Sequence, residues 1–417
     1  MPLLGMRFIK VIVAVSMLFA FGVTAPVQAA TTSLTLSTDL AVYQPGATVT
    51  LTAVTNSTAD KLQVTYLQLD STIETKEVPA DADGTTTWTW TAPNKDYQGY
   101  LVVVAAKSGS AVLATSTIGV DVSSDWAKFP RYGFLSDFSE RSTSIQASVI
   151  ARLSRLHING LQFYDWQDRH DQPLTVTNGT VPAVWSDIAD RTTYFATVAN
   201  YIALAHSHGM KAMNYNLIMG GYNDYAKLGI SPTWGIYTDD LHKVQDGYDL
   251  PSSWESGLKL FDPSNTGWQN YIIGQENTVQ KYLNFDGWHV DQLGNRSAYN
   301  YAGDKVDLAS GYASLLNNAK STYKGELVMN AVDSYAQEDI LATHATKFAY
   351  AELWDSSETY GDILYTIEKN WALSGSKMNT VLAAYLNRGI SGQQAEFNPA
   401  SVLLADAAIF AAGGSHI

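Results

Sequence analysis

The hydrophobic rhythm of the chain changes once, near residue 124, and that change limits the folds open to it. Before it, apolar and polar residues alternate. Val49, Leu51 and Ala53 are separated by Thr50 and Thr52, and Trp88 and Trp90 are set among Thr87, Thr89 and Thr91. A period of two belongs to strands with one buried face. Turn signals recur at Gln44-Pro45-Gly46, Ala82-Asp83-Gly84 and Ala92-Pro93-Asn94. Thr-rich strands at this spacing predict a small β-sandwich of immunoglobulin-like shape over 31–123, with Ser123-Ser124-Asp125 as the junction. For such a domain, packing against its neighbour as a spacer is favoured over carbohydrate binding.

From residue 129 apolar runs alternate with helical stretches. Strands are expected near 131–137, 159–165, 211–217, 286–292, 326–332, 348–354, 380–386 and 414–417. Between them, Ile145, Val149, Ile150, Leu153 and Leu156 have helical spacing. Tyr194, Val198 and Ile202 repeat it ahead of Gly209, which suits the left-handed position that closes a helix. Asn398-Pro399 reads as an N-cap followed by proline in the first turn. Strands and helices in alternation imply a parallel sheet, and eight strands imply an α/β fold of (β/α)8 TIM-barrel type over 124–417. The sequence ends at Gly413-Gly414-Ser415-His416-Ile417, where the eighth strand should begin. A carboxyl-terminally incomplete barrel with an unpaired edge is therefore expected.

Composition narrows the function. The 417 residues suffice for a barrel of about 250 residues or more plus a small domain. A net charge of −14 excludes the basic footprint that nucleic acid or an anionic membrane surface requires. Charged residues make up only 16% of the chain, whereas Tyr and Trp number 24 and 11, which suits a surface that handles a neutral, hydroxyl-rich polymer. At the start, Arg7 and Lys10 precede an apolar stretch over 11–23 and the small-residue pattern Val27-Gln28-Ala29. This predicts a cleaved secretory signal over 1–30, export from a bacterial cell, and no membrane association after cleavage. The chain has no cysteine, so disulfides, Cys nucleophiles and Cys-ligated metals are excluded. With no His-Glu-x-x-His motif, P-loop or EF-hand loop in the sequence, no metal or cofactor is expected.

Two acids stand out. Asp291 closes the run Phe285-Asp286-Gly287-Trp288-His289-Val290, and Glu352 closes Phe348-Ala349-Tyr350-Ala351. An acid at the carboxyl end of a barrel strand loses solvation, a position proteins accept where chemistry needs a focused charge. By strand count the two lie on the fourth and sixth strands, able to face each other across the barrel mouth. Retaining glycosidases use such a pair about 5–5.5 Å apart, one acid ionised as nucleophile and the other protonated as general acid. Trp288 and Trp354 beside them are the flat residues that stack on sugar rings. The structural alternative, a helix cap or ion-pair partner, fits either acid alone. Among the other polar residues near strand ends, Asp165, Trp166, Asn216, His289, Asn330 and Trp354 are the favoured sugar contacts, with a loop-shaping hydrogen bond as the alternative for each. The long stretch 219–262 reads as a substrate-lining loop in which Trp234, Tyr237 and Trp254 could be platforms or packing.

At these residues the chain resembles glycoside hydrolase family 66, which contains endo-dextranases and cycloisomaltooligosaccharide glucanotransferases. The resemblance is carried by Phe129-Pro130-Arg131-Tyr132-Gly133-Phe134, Phe163-Tyr164-Asp165-Trp166 with Arg169-His170, Gly287-Trp288-His289-Val290-Asp291-Gln292-Leu293-Gly294, Tyr350-Ala351-Glu352-Leu353-Trp354 and Ala411-Ala412-Gly413-Gly414-Ser415-His416. It spans about residues 35–416 and implies a retaining double displacement on α-1,6-linked glucan (dextran) and isomaltooligosaccharides, with Asp291 as nucleophile and Glu352 as acid/base. Three functions follow as expectations. The first is a secreted endo-dextranase, the second a cyclising glucanotransferase using the same intermediate, and the third a sugar-binding protein with an inactive barrel.

Overall fold

The computed structural model describes residues 32–354, 359–385 and 399–417; the expected leader over 1–30 and Asn398 lie outside them. Seven strands come first: β1 (Leu34–Thr38), β2 (Thr48–Thr55), β3 (Lys61–Gln68), β4 (Ser71–Pro79), β5 (Thr85–Thr91), β6 (Gln98–Ser108) and β7 (Ala111–Val122). They form two antiparallel sheets, β1-β2-β5 and β4-β3-β6-β7. The period-two pattern sends Val49, Leu51, Trp88 and Trp90 inward to meet Leu62, Val64, Tyr66 and Val102 of the other sheet. Tyr66 stacks on Trp90 with ring centroids 4.4 Å apart, and its hydroxyl accepts from the Trp88 indole at 2.8 Å. Gly46 and Gly84 take the left-handed backbone their turns need, with φ of 75° and 81°.

The remainder is mixed α/β. It runs β8 (Tyr132–Leu135), α1 (Thr143–Arg155), β9 (Gly160–Phe163), the short hairpin β10 (Val184–Ser186) and β11 (Thr192–Tyr194), α2 (Phe195–Ser207) and β12 (Lys211–Leu217). An excursion with β13 (Gly220–Tyr222), β14 (Gly247–Tyr248) and β15 (Leu258–Leu260) follows, then α3 (Thr266–Tyr282), β16 (Gly287–Asp291), α4 (Leu308–Thr322) and β17 (Glu326–Val332). The chain continues through α5 (Gln337–Ala342), β18 (Ala349–Leu353), α6 (Tyr360–Leu373), β19 (Thr380–Ala384), α7 (Pro399–Ala411) and β20 (Ser415–His416). Strands β8, β9, β12, β16, β17, β18, β19 and β20 pair in that order, all parallel, into a nearly closed barrel. Among the described residues no pairing joins β20 to β8.

Helix starts follow their capping chemistry. Ser142 accepts from the Ile145 amide, Asn265 from Gly267 and Trp268, and Thr359 with Asp362 forms a reciprocal capping box. Gly209, with φ of 73°, lies just past α2. The barrel interior is apolar and aromatic at depth, with Tyr132, Met213, Val328, Phe348, Tyr350 and Val381 in one cluster. Trp126, from the segment between the sandwich and β8, belongs to the same cluster, and its indole donates to Glu326 at 2.8 Å at the start of β17. That plug leaves the opposite end, where the parallel strands finish, as the end that carries the acids.

Candidate active site

Asp291 is the last residue of β16 and Glu352 the penultimate residue of β18, with β17 between them. Inward-facing residues alternate along each strand. In register, Leu217 lies opposite Asp291, Tyr215 opposite His289, and Val332 opposite Glu352. Tyr215 on β12 and Asn330 on β17 thereby share the inner face with the two acids.

The hydrogen bonds make these four residues one unit. Asn330 Nδ2 donates to Asp291 Oδ1 at 2.8 Å and to Glu352 Oε2 at 3.1 Å. Tyr215 Oη donates to Asp291 Oδ2 at 2.8 Å, and the Gln292 amide donates to Asp291 Oδ1 at 2.8 Å. Asn330 Oδ1 is buried without a hydrogen-bond partner among the described residues.

The electrostatics differ between the two acids. Burial, and then the negative charge of Asp291, push Glu352 up to about 7, against opposing donation from Asn330 and the Trp354 side chain. Burial also raises Asp291, but three donors (Tyr215, Asn330 and the Gln292 backbone) hold its anion. Donors to the charged form favour ionisation. When the pair shares one negative charge, that charge is best supported on Asp291, and the proton rests on Glu352.

Asp165 extends the site. It follows β9 in the left-handed conformation, with φ of 50°, and its carboxylate accepts from Arg191 Nη2 at 3.3 Å. Burial pushes it up to about 7, Arg191 pulls it down, and Asp187 and Asp291 push it up further. Trp354 stacks on Tyr385 with centroids 4.4 Å apart and donates to Glu352, so it belongs to the mouth.

Three of the expected sugar contacts lie elsewhere. His289 is 1% exposed, below Asp291 in the barrel interior. Its ring lies parallel to Tyr132, Nδ1 is 3.2 Å from the Tyr132 hydroxyl, and burial lowers it to about 3. Trp166 is fully buried in the helix layer, where its indole donates to Asn214 Oδ1 at 2.7 Å. Asn216 is on the outer face of β12, opposite in direction to Tyr215. Its amide donates to the His170 carbonyl and to Glu276, while its oxygen meets His170 Nδ1 and the Leu217 amide. Its hydrogen-bonding capacity is used within the wall. In the excursion after β12, Tyr237 is buried and Trp234 packs on the core, whereas Trp254 is 37% exposed.

Residues that the sequence reading passed over are Tyr215, Tyr164 and Glu276. Tyr164 lies beside Tyr215, ring centroids 4.6 Å apart, and burial, then the negative charges of Asp165, Asp291 and Glu352, raise its phenol. A signal for Glu276 was present: it is an acid on the same helical stripe as Ile272 and Val279.

A nearly closed parallel barrel presenting two carboxylates to one shared amide at the carboxyl ends of its strands has the arrangement of barrel glycosidases. Residues 38–417 match Glycosyl hydrolase family 66, and the chain belongs to that family. It is 35% identical over 372 residues to a cycloisomaltooligosaccharide glucanotransferase of Niallia circulans, covering 84% of this chain and 38% of that protein. It is 25% identical over 364 residues to a dextranase of Streptococcus salivarius, covering 76% and 44%. The crystal structure of a Paenibacillus sp. cycloisomaltooligosaccharide glucanotransferase complexed with cycloisomaltoheptaose superposes with a TM-score of 0.79 at 32% identity, over 84% of this chain and 53% of that one. The chain thus spans about two fifths of the length of the curated relatives it matches.

Proposed function

We propose that this chain carries the catalytic barrel of a retaining enzyme that cleaves α-1,6-glucosidic bonds within dextran, an endo-dextranase acting by double displacement. One observation carries the reading. Because Asp291 and Glu352 accept from the same Asn330 nitrogen, at 2.8 and 3.1 Å, those oxygens are at most about 6 Å apart. Inverting enzymes need about 6.5–9.5 Å to admit a water, whereas retaining enzymes hold their carboxyls about 5–5.5 Å apart.

Asp291, ionised by its three donors, attacks the anomeric carbon, while Glu352 gives its proton to the departing glycosidic oxygen. The β-linked glucosyl ester on Asp291 is then released when Glu352, now a base, takes a proton from the incoming acceptor. As the ester forms, Asp291 loses its charge, the like-charge penalty on Glu352 falls, and Glu352 is more readily kept as the anion that its second role needs. Asn330 Oδ1, buried and without a partner among the described residues, is the acceptor we assign to a substrate hydroxyl. Asp165 and Trp354 complete the sugar contacts we assign, with an immunoglobulin-like sandwich packed behind as a spacer and the mature protein exported.

With water as acceptor the products are linear isomaltooligosaccharides. A second reading, a cyclising glucanotransferase in which the chain's own 6-OH end takes the glucosyl group, is favoured by the higher identity to the Niallia circulans glucanotransferase, 35% against 25% for the dextranase. Thin-layer analysis of a dextran digest separates them: linear products support hydrolysis, and rings resistant to exo-glucosidase support cyclisation. Glu352→Ala should abolish dextran cleavage, and azide should restore turnover as α-glucosyl azide. Undiminished cleavage by that variant would remove Glu352 from the mechanism.

A further inference from the structure

The wall behind β12 holds a fully buried acid to which the chemistry above gives no role. Glu276, on α3, is 0% exposed. Its Oε1 accepts from Asn216 Nδ2 at 2.7 Å, and its Oε2 accepts from Asn214 Nδ2. Asn214 and Asn216 flank Tyr215, so alternation sends their two side chains outward to Glu276 and the Tyr215 phenol inward to Asp291. Neither amide can turn over freely. Asn214 Oδ1 accepts from Trp166 Nε1 at 2.7 Å, and Asn216 Oδ1 accepts from the Leu217 amide at 2.9 Å and sits 2.8 Å from His170 Nδ1. One carboxylate thus grips β12 on both sides of the residue whose hydroxyl reaches the nucleophile.

Resting on the assignment of Asp291 as nucleophile, we propose that Glu276 is a positioning residue, clamping Asn214 and Asn216 so that the Tyr215 hydroxyl is held on Asp291 Oδ2. The clamp acts through geometry: burial raises Glu276, but both asparagines turn an NH2 toward it and so favour its anion, which accepts on both oxygens, whereas a glutamine in its place must present one NH2 to an asparagine NH2. The phenol on the other face of the strand then loses its fixed aim, and the Asp291 anion loses a donor. The titratable groups that face Asp291 are Tyr164 and Asp165 after β9, Tyr215 on β12, Tyr312 on α4, and Tyr350 and Glu352 on β18. Facing Glu276 is Tyr323, following α4. Only Tyr215 both donates to Asp291 and lies between the clamped asparagines.

The test is a double-variant cycle on the pH profile of kcat/KM, whose acidic limb reports ionisation of the nucleophile. Tyr215→Phe should move that limb up by about one pH unit, the size expected for loss of a charge-assisted hydrogen bond. Glu276→Gln should move it in the same direction by about half as much, and the pair together should move it no further than Tyr215→Phe alone. Asn214→Ala, which removes one arm and leaves the Glu276–Asn216 bond, should give a smaller shift of the same sign and serves if Glu276→Gln does not fold. An acidic limb that overlays the wild type in the folded variants, however far their Tm falls, overturns the clamp. So do shifts that add in full. Labelling of the wild type by a fluorinated isomaltosyl fluoride, with the modified peptide identified by mass, reports separately on the nucleophile. Label absent from the Asp291 peptide removes that assignment, whereas label on Asp291 with an unmoved limb removes the clamp alone.

Discussion

The acids at the barrel mouth and the acid in its wall differ less in burial than in what surrounds them. Burial raises all three, Glu352 to about 7 and Glu276 to about 8. In the wall, each Glu276 oxygen has its own asparagine, and Asn216 has partners on every side. At the mouth, one Asn330 nitrogen serves two acids and its oxygen has no partner among the described residues. A saturated network fixes a strand, whereas an undersupplied one leaves two acids sharing a single donor. Between these two networks, the supply of hydrogen-bond partners differs more than the burial.

Substitutions can break this contrast in order of effect. Asp291→Asn should lower kcat/KM on dextran by about 10⁴-fold or more, because an amide cannot form the ester; initial rates of reducing-sugar release would show it, and a loss below tenfold would place the nucleophile elsewhere. Asn330→Ala should lower kcat by about 10²-fold through loss of the one donor common to both acids. Equal losses in kcat and in binding of an isomaltooligosaccharide product would instead make Asn330 a binding residue only. Trp354→Ala removes a donor that favours the Glu352 anion. Its alkaline limb, which in the wild type should fall as pH rises through about 7 because Glu352 must carry a proton, should therefore move to higher pH. The smallest change belongs to the wall: Trp166→Phe should destabilise by about 1 kcal/mol, read from denaturant unfolding, with KM unchanged. A large rise in KM would return Trp166 to the sugar contacts.

How far the sequence carried depends on the length scale. All eight expected barrel strands have counterparts, from 131–137 at β8 to 414–417 at β20, because apolar runs bounded by helical stretches leave few other structures. Asp291 and Glu352 could be picked out because a charge ending an apolar run is conspicuous. Side-chain direction was harder to read. Asn216 and Tyr215 are adjacent, and only the register that sets Tyr215 opposite His289 and Leu217 opposite Asp291 decides which faces inward. Trp166, expected as a sugar contact, comes three residues after Phe163 of β9, where the chain has already turned into the helix layer. For Glu276 the helical stripe marks a buried acid, but its partners sit 60 and 62 residues away, a separation no local pattern encodes. The apolar residues left exposed on α6 and α7, among them Tyr365 and Phe410, were likewise not foreseen from their spacing.

In the proposed double displacement, bond cleavage passes through a glucosyl ester on Asp291 and returns the starting anomeric configuration. Proton NMR of the first-formed reducing ends, recorded before mutarotation, reads this directly. The α-anomer should appear first; initial accumulation of the β-anomer would mean a single inverting displacement and contradict the pairing of Asp291 with Glu352.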